Sequence, residues 1–149
     1  MSPALTRRRM QGVHQETWHV FYGDIHVGTI GERAGVPREV DQWHWSIGFY
    51  PRSHRPGGQV GETAPSFELA REAFERAWQE YLPGCTEQDF LQCRQWRAFV
   101  AWKHAMWDAH ALLPTQTPEG RSCCFCGAEI TIARMEPHIY ADHMDLGRE

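Results

Sequence analysis

The stretch Gln42-Trp43-His44-Trp45-Ser46-Ile47-Gly48-Phe49-Tyr50 alternates large apolar residues with small or polar ones. Successive side chains of a strand point to opposite faces. Trp43, Trp45, Ile47 and Phe49 therefore line one side, and His44, Ser46, Gly48 and Tyr50 the other. The pattern predicts a sheet covered on one face.

Working outward, Thr17 to Tyr22 is rich in aromatic and β-branched residues and reads as a strand. Gly23-Asp24 then supplies a two-residue turn of type II′, with glycine first, and Ile25 to Ile30 returns as the partner strand. Downstream, Pro51 stops the alternation and opens a loop rich in glycine and proline from Arg52 to Pro65. Ser66 is a good helix cap, and Glu68 suits the positive end of a helix dipole. Phe67, Ala70, Phe74, Ala77, Trp78 and Tyr81 recur at helical spacing up to Pro83-Gly84. This amphipathic helix is expected to lie on the Trp43/Trp45/Ile47/Phe49 face.

Thr86 with Asp89 three residues on forms a capping box for a second, long helix. Its apolar stripe of Phe99, Trp102, Met106, Ala109 and Leu113 extends it to Leu113, and Trp96, Val100 and Trp107 widen the apolar surface. The fold class predicted is α+β: a three-stranded antiparallel sheet packed by an amphipathic helix, a second long helix, and a small C-terminal module. The domain reading is a flexible basic tail (1–16), a βββαα body (17–113), a linker (114–121, Pro114 to Arg121) and a small C-terminal module (122–149), whose chemistry its cysteines and histidines decide.

Composition narrows the function classes. The chain has 149 residues, 42% of them hydrophobic, which is enough for a real core. No apolar run approaches the roughly 18 residues that span a bilayer. The segment Met1 to Gln11 carries Thr6-Arg7-Arg8-Arg9 and lacks the apolar stretch of a secretory signal. Five cysteines are an odd number, and three of them, Cys123, Cys124 and Cys126, cluster ahead of two histidines. That arrangement suits a metal better than a disulfide framework and implies a reducing, cytoplasmic setting. The net charge of −4 gives no global attraction to nucleic acid.

The pattern Cys123-x2-Cys126-x11-His138-x4-His143 supplies four nitrogen and sulfur ligands. A closed tetrahedral set of this kind marks a structural zinc ion, Zn2+, and some thirty residues need such an ion to fold. Cys124 is the alternative to Cys123 as ligand. The glutamate that follows the first histidine in zinc proteases is absent.

Residues 121 to 145 resemble the C2H2 zinc finger family, about a fifth of the chain. Ile130 and Met135 stand where that family keeps its small core. The resemblance places its base-reading positions on Thr131, Arg134 and Pro137, of which Arg134 makes a strong base contact. Pro137 departs from the pattern and fits better at the first helical position. Residues 122 to 149 hold two arginines against five acids, a balance of −3, which argues against phosphate docking. The segment Trp18 to Leu82 resembles domains of uncharacterised bacterial proteins, a resemblance that implies no activity.

These features predict a non-enzymatic binding or regulatory protein, with the zinc module as folding staple and protein-docking element. A protein partner is expected, with no membrane and no small-molecule substrate. The alternative is nucleic-acid binding through Arg52, His54 and Arg55 with the Arg7 to Arg9 tail, helped by Arg134. A second alternative is a metal-dependent hydrolase around His104, Asp108 and His110. Cys85 and Cys93 have no histidine close in sequence and read as inert thiols.

Overall fold

The computed structural model describes residues 3 to 149. The chain divides into two compact units, Met1–Cys93 and Arg94–Glu149. The division falls inside the second long helix, upstream of the 114–121 segment that composition marks as a linker.

In the first unit five strands form one antiparallel sheet in sequence order: β1 (Leu5–Arg9), β2 (Thr17–Tyr22), β3 (Ile25–Glu32), β4 (Trp43–Ile47) and β5 (Val60–Ala64). The hairpin between β2 and β3 turns at Gly23-Asp24 as expected. Gly23 has φ +60 and Asp24 does not adopt positive φ, the combination of a type II′ turn.

The three-stranded sheet read from the sequence becomes five-stranded, and the two additions are its edges. Leu5 to Arg9 pairs with β2 in the register Leu5↔Tyr22 to Arg9↔Trp18, so this part of the expected tail is an edge strand. The first two residues of that tail lie outside the described residues. Arg7 lies 5.4 Å from both the Trp18 and Phe67 rings, and Arg8 lies 5.2 Å from Phe21. The guanidinium groups thus settle on aromatic faces. The other edge, β5, arises within the glycine- and proline-rich loop and pairs with β4 from Trp43↔Ala64 to Ile47↔Val60.

Helix α1 (Phe67–Tyr81) covers one face of the sheet. The Leu69 backbone N–H donates to Ser66 Oγ at 3.2 Å, which confirms the cap. Its apolar stripe buries Ala70, Phe74, Trp78 and Tyr81 against Trp45, Ile47 and Phe49. Edge-to-face contacts such as Trp45–Phe74 at 6.2 Å and Trp43–Phe67 at 5.6 Å fix the approach. A Cβ on Gly28 of β3 would sit 2.2 Å from the Ser46 carbonyl oxygen and 2.6 Å from the Phe74 ring. Glycine is required there by the close approach of both the neighbouring strand β4 and the helix.

Helix α2 (Glu87–Asp108) opens on the expected reciprocal cap. Thr86 N–H donates to Asp89 Oδ2 at 3.0 Å, and Asp89 N–H donates to Thr86 Oγ1 at 3.1 Å. The helix ends at Asp108 rather than Leu113. His110 takes a left-handed φ of 56 just beyond it, and Ala111 N–H returns to Met106 O at 2.9 Å.

In the second unit the rest of α2 shares a core with a short hairpin, β6 (Arg121–Cys123) and β7 (Glu129–Thr131), and with α3 (Met135–Asp142). Ala98, Trp102 and Met106 from α2 pack with Cys124, Ile130 and Ile139, all of them buried. Among the described residues no helix is long and apolar enough to cross a membrane.

Candidate metal centre

The hairpin brings its cysteines to the tip. Arg121↔Thr131, Ser122↔Ile130 and Cys123↔Glu129 are paired, which leaves residues 124 to 128 as the connecting turn. Within it Cys124 N–H donates to Ala128 O, and Gly127 N–H donates to Cys124 O, both at 2.8 Å. Gly127 adopts φ +97, a conformation glycine accepts readily. Such a knuckle turns two sulfurs toward one point.

On the facing element, α3 presents His138, and its C-terminal cap is His143. Pro137 is the third residue of this helix, in the first turn where its missing N–H costs no helical hydrogen bond. The helix therefore begins before Pro137, not at it. The pair His138 and His143 then lies across from the knuckle, with ring centroids 5.0 Å apart.

Four ligand atoms converge: Cys124 Sγ, Cys126 Sγ, His138 Nε2 and His143 Nε2. All lie within 4.8 Å of one another. Cys124 Sγ is 3.5 Å from His143 Nε2, and Cys126 Sγ is 3.5 Å from His138 Nε2. A tetrahedral zinc ion with Zn–S of about 2.3 Å and Zn–N of about 2.0–2.1 Å sets such separations at about 3.6 Å. Both cross-pairs already have that spacing, so the four side chains can hold a metal ion with little rearrangement.

The group contains Cys124 where the C-x2-C spacing places Cys123. Cys123 belongs to β6 and is exposed, whereas Cys124 is 3% exposed and sits in the core of the unit. The physical reason is alternation: of two adjacent cysteines leaving a strand, only one can face inward. The inward one meets the indole of Trp102, whose Nε1–H donates to Cys124 Sγ at 3.3 Å. The Cys126 backbone N–H adds a second donor to the same sulfur. Burial nevertheless pushes the Cys124 thiol above its ordinary value, ahead of the opposing hydrogen bonds from Cys126 and Trp102.

Outer contacts orient the histidines as well. His138 Nδ1 lies 3.1 Å from Asp142 Oδ2, one helical turn on. With Nε2 turned to the sulfurs, Nδ1 faces the carboxylate, the usual support for a metal-bound imidazole. Phe125, at the knuckle tip, leans on the His143 ring at 4.9 Å.

The remaining sequence candidates are placed differently. Arg52 donates to Tyr81 O, with Cys85 Sγ at 3.0 Å, and its guanidinium lies 3.7 Å over the Tyr81 ring. Arg55 donates to the buried Asp89 at 2.6 Å. Arg52 ties the 51–58 loop to the end of α1 and Arg55 ties it to the start of α2, so the loop is not a pair of unengaged phosphate contacts. His54 is exposed and meets Tyr50 edge-on at 5.4 Å. Arg134 caps α3 with its side chain exposed. His104, Asp108 and His110 are exposed, and their ligand atoms do not converge as a metal-holding group among the described residues. Cys85 and Cys93 are half-buried, and burial pushes the Cys85 thiol up against the opposing pull of Arg52.

Trp102 and Asp142 are the site residues that spacing rules miss. Trp102 lies 22 residues from the cysteine it supports. Asp142 falls at the i+4 position from His138 on one helix face, a signal that could have been read.

No family model, curated protein or solved structure matches the chain.

Proposed function

We propose that this is a non-enzymatic binding protein whose second unit is closed by a structural zinc ion held by Cys124, Cys126, His138 and His143. The observation that carries the reading is the pair of 3.5 Å sulfur–nitrogen separations within one four-atom group. Two thiolates and two imidazoles are the donor set zinc prefers, and four protein ligands leave no coordination position for water or substrate. The ion supplies cross-linking between hairpin and helix; the thiolates neutralise it, and Trp102, the Cys126 N–H and Asp142 steady its ligands.

The small size of the unit agrees with this. Its buried core is a single layer around Trp102, Met106, Ile130 and Ile139. Few apolar residues hold the hairpin to α3, and metal coordination adds the missing free energy. The acidic balance of residues 122 to 149 favours a protein partner over nucleic acid.

Metal analysis of the purified chain tests the reading. We expect about one zinc per chain, lost in both Cys124→Ser and Cys126→Ala, with loss of secondary structure confined to the second unit. A full complement of zinc in either variant would overturn the assignment.

A further inference from the structure

Away from the metal centre, the outward side of α2 carries an unusual stripe. Trp96, Val100, Lys103, His104 and Trp107 line an open groove of about 480 Å³. Trp107 is 78% exposed and Trp96 48%, values that a soluble surface rarely gives to indoles. Positions 96, 100, 103 and 107 follow steps of four, three and four, the seam spacing with which one helix packs along another. Lys103 is laid along this seam, its ammonium 5.2 Å from the Phe99 ring, and Trp96 stacks on Phe99 at 6.2 Å.

Charge selects the occupant. Lys103 is the charged side chain among those that line the groove, in a protein whose net charge is −4. A second copy of this chain fits poorly, because a two-fold axis through the middle of the seam brings the two Lys103 ammonium groups together. A nucleic-acid strand fits poorly too. Phosphate affinity scales with the number of basic side chains presented, and Lys103 is exposed whereas Arg94 and Arg97 are half-buried.

We propose that the α2 face from Trp96 to Trp107 is the docking surface for an amphipathic helix of a partner protein, its apolar stripe seated between the two indoles and its flanks acidic. The recognition is helix-in-groove, with the tryptophans as anchors and Lys103 selecting the sign of charge on the partner. The inference rests on the binding-protein reading but not on the metal ligands.

The test uses the full chain and two synthetic helices of about three heptads, alike in their leucine seam and flanked by glutamate in one and lysine in the other. Labelled-peptide anisotropy reports binding, and the metal content of the same samples reports the zinc. We expect the glutamate-flanked helix to bind and the lysine-flanked one not to. Trp107→Ala should weaken binding at least about tenfold. Lys103→Glu should reverse the preference between the two helices. Both positions are exposed, and zinc content should stay unchanged in both variants. Equal binding of the two helices, no binding of either at millimolar concentration, displacement by oligothymidine, or dimerisation abolished by Trp107→Ala would each overturn the proposal. Loss of zinc from the unmutated chain with charge-selective binding intact would sink the metal reading alone.

Discussion

Trp102 Nε1–H donates to Cys124 Sγ at 3.3 Å across 22 residues of sequence, inside the core of the second unit. The indole thus serves packing and sulfur chemistry together, and Phe at that position separates the two roles. Trp102→Phe is expected to keep the fold while weakening zinc affinity about 10–100-fold, as loss of an outer-shell partner does. Competition with a chromophoric chelator measures it. An unchanged affinity means that the hydrogen bond contributes nothing to the site.

Cys123 offers the sharpest comparison. It is exposed and lies outside the converging group, so Cys123→Ser should retain the full metal content that Cys124→Ser loses. Metal analysis of the two variants side by side decides between adjacent sulfurs.

The zinc affinity should rise with pH. Burial pushes the Cys124 thiol up, so the metal must displace a proton from that sulfur at neutral pH. Raising the pH removes the competitor. The apparent affinity is expected to increase at least about tenfold per pH unit through the neutral range. A titration series at fixed ionic strength checks the slope.

The first unit has its own pH signature at Asp89. Burial alone would raise this carboxyl, but the Thr86 N–H and the Arg55 guanidinium outweigh it and hold it below its ordinary value. A carboxyl depressed in the folded state stabilises above its unfolded pKa, about 3.9, and that stability is lost as pH falls through the folded value. Acid unfolding of Asp89→Asn should therefore begin from lower stability and show a shallower fall below about pH 4. Circular dichroism across an acid series reads both.

Gly28→Ala tests the packing of β3 against both β4 and the helix. Its Cβ would meet backbone at 2.2 Å and the Phe74 ring at 2.6 Å, so neither neighbour can yield cheaply. A destabilisation of roughly 2–3 kcal/mol is expected by denaturant titration. Gly12→Ala is a poor control, since φ +74 strains it without any clash.

Much of the interior could be read directly. The alternation from Trp43 to Phe49, the Gly23-Asp24 turn, the Ser66 cap and the Thr86/Asp89 box depend on contacts within a few residues, and each is present. The two edge strands were hidden for a physical reason. An edge strand has one neighbour and needs little apolar surface: Leu5–Arg9 exposes its last four residues, and Val60–Ala64 buries only Ala64. Nothing periodic marks them. The choice between Cys123 and Cys124 was equally hidden, because it depends on which side of the β6 pleat meets an indole far away in sequence. Cys126, His138 and His143 were legible, since the cysteine cluster and the histidine pair mark them in sequence.

The sheet order, with each strand beside its sequence neighbours, has a kinetic meaning. Every pairing closes a short loop, so no strand must wait for a distant partner and little chain entropy is lost before contacts form. Each strand can pair as soon as its successor leaves the ribosome. The helix that seals the apolar face follows directly behind the last strand, which leaves Trp43, Trp45 and Phe49 uncovered only briefly during synthesis.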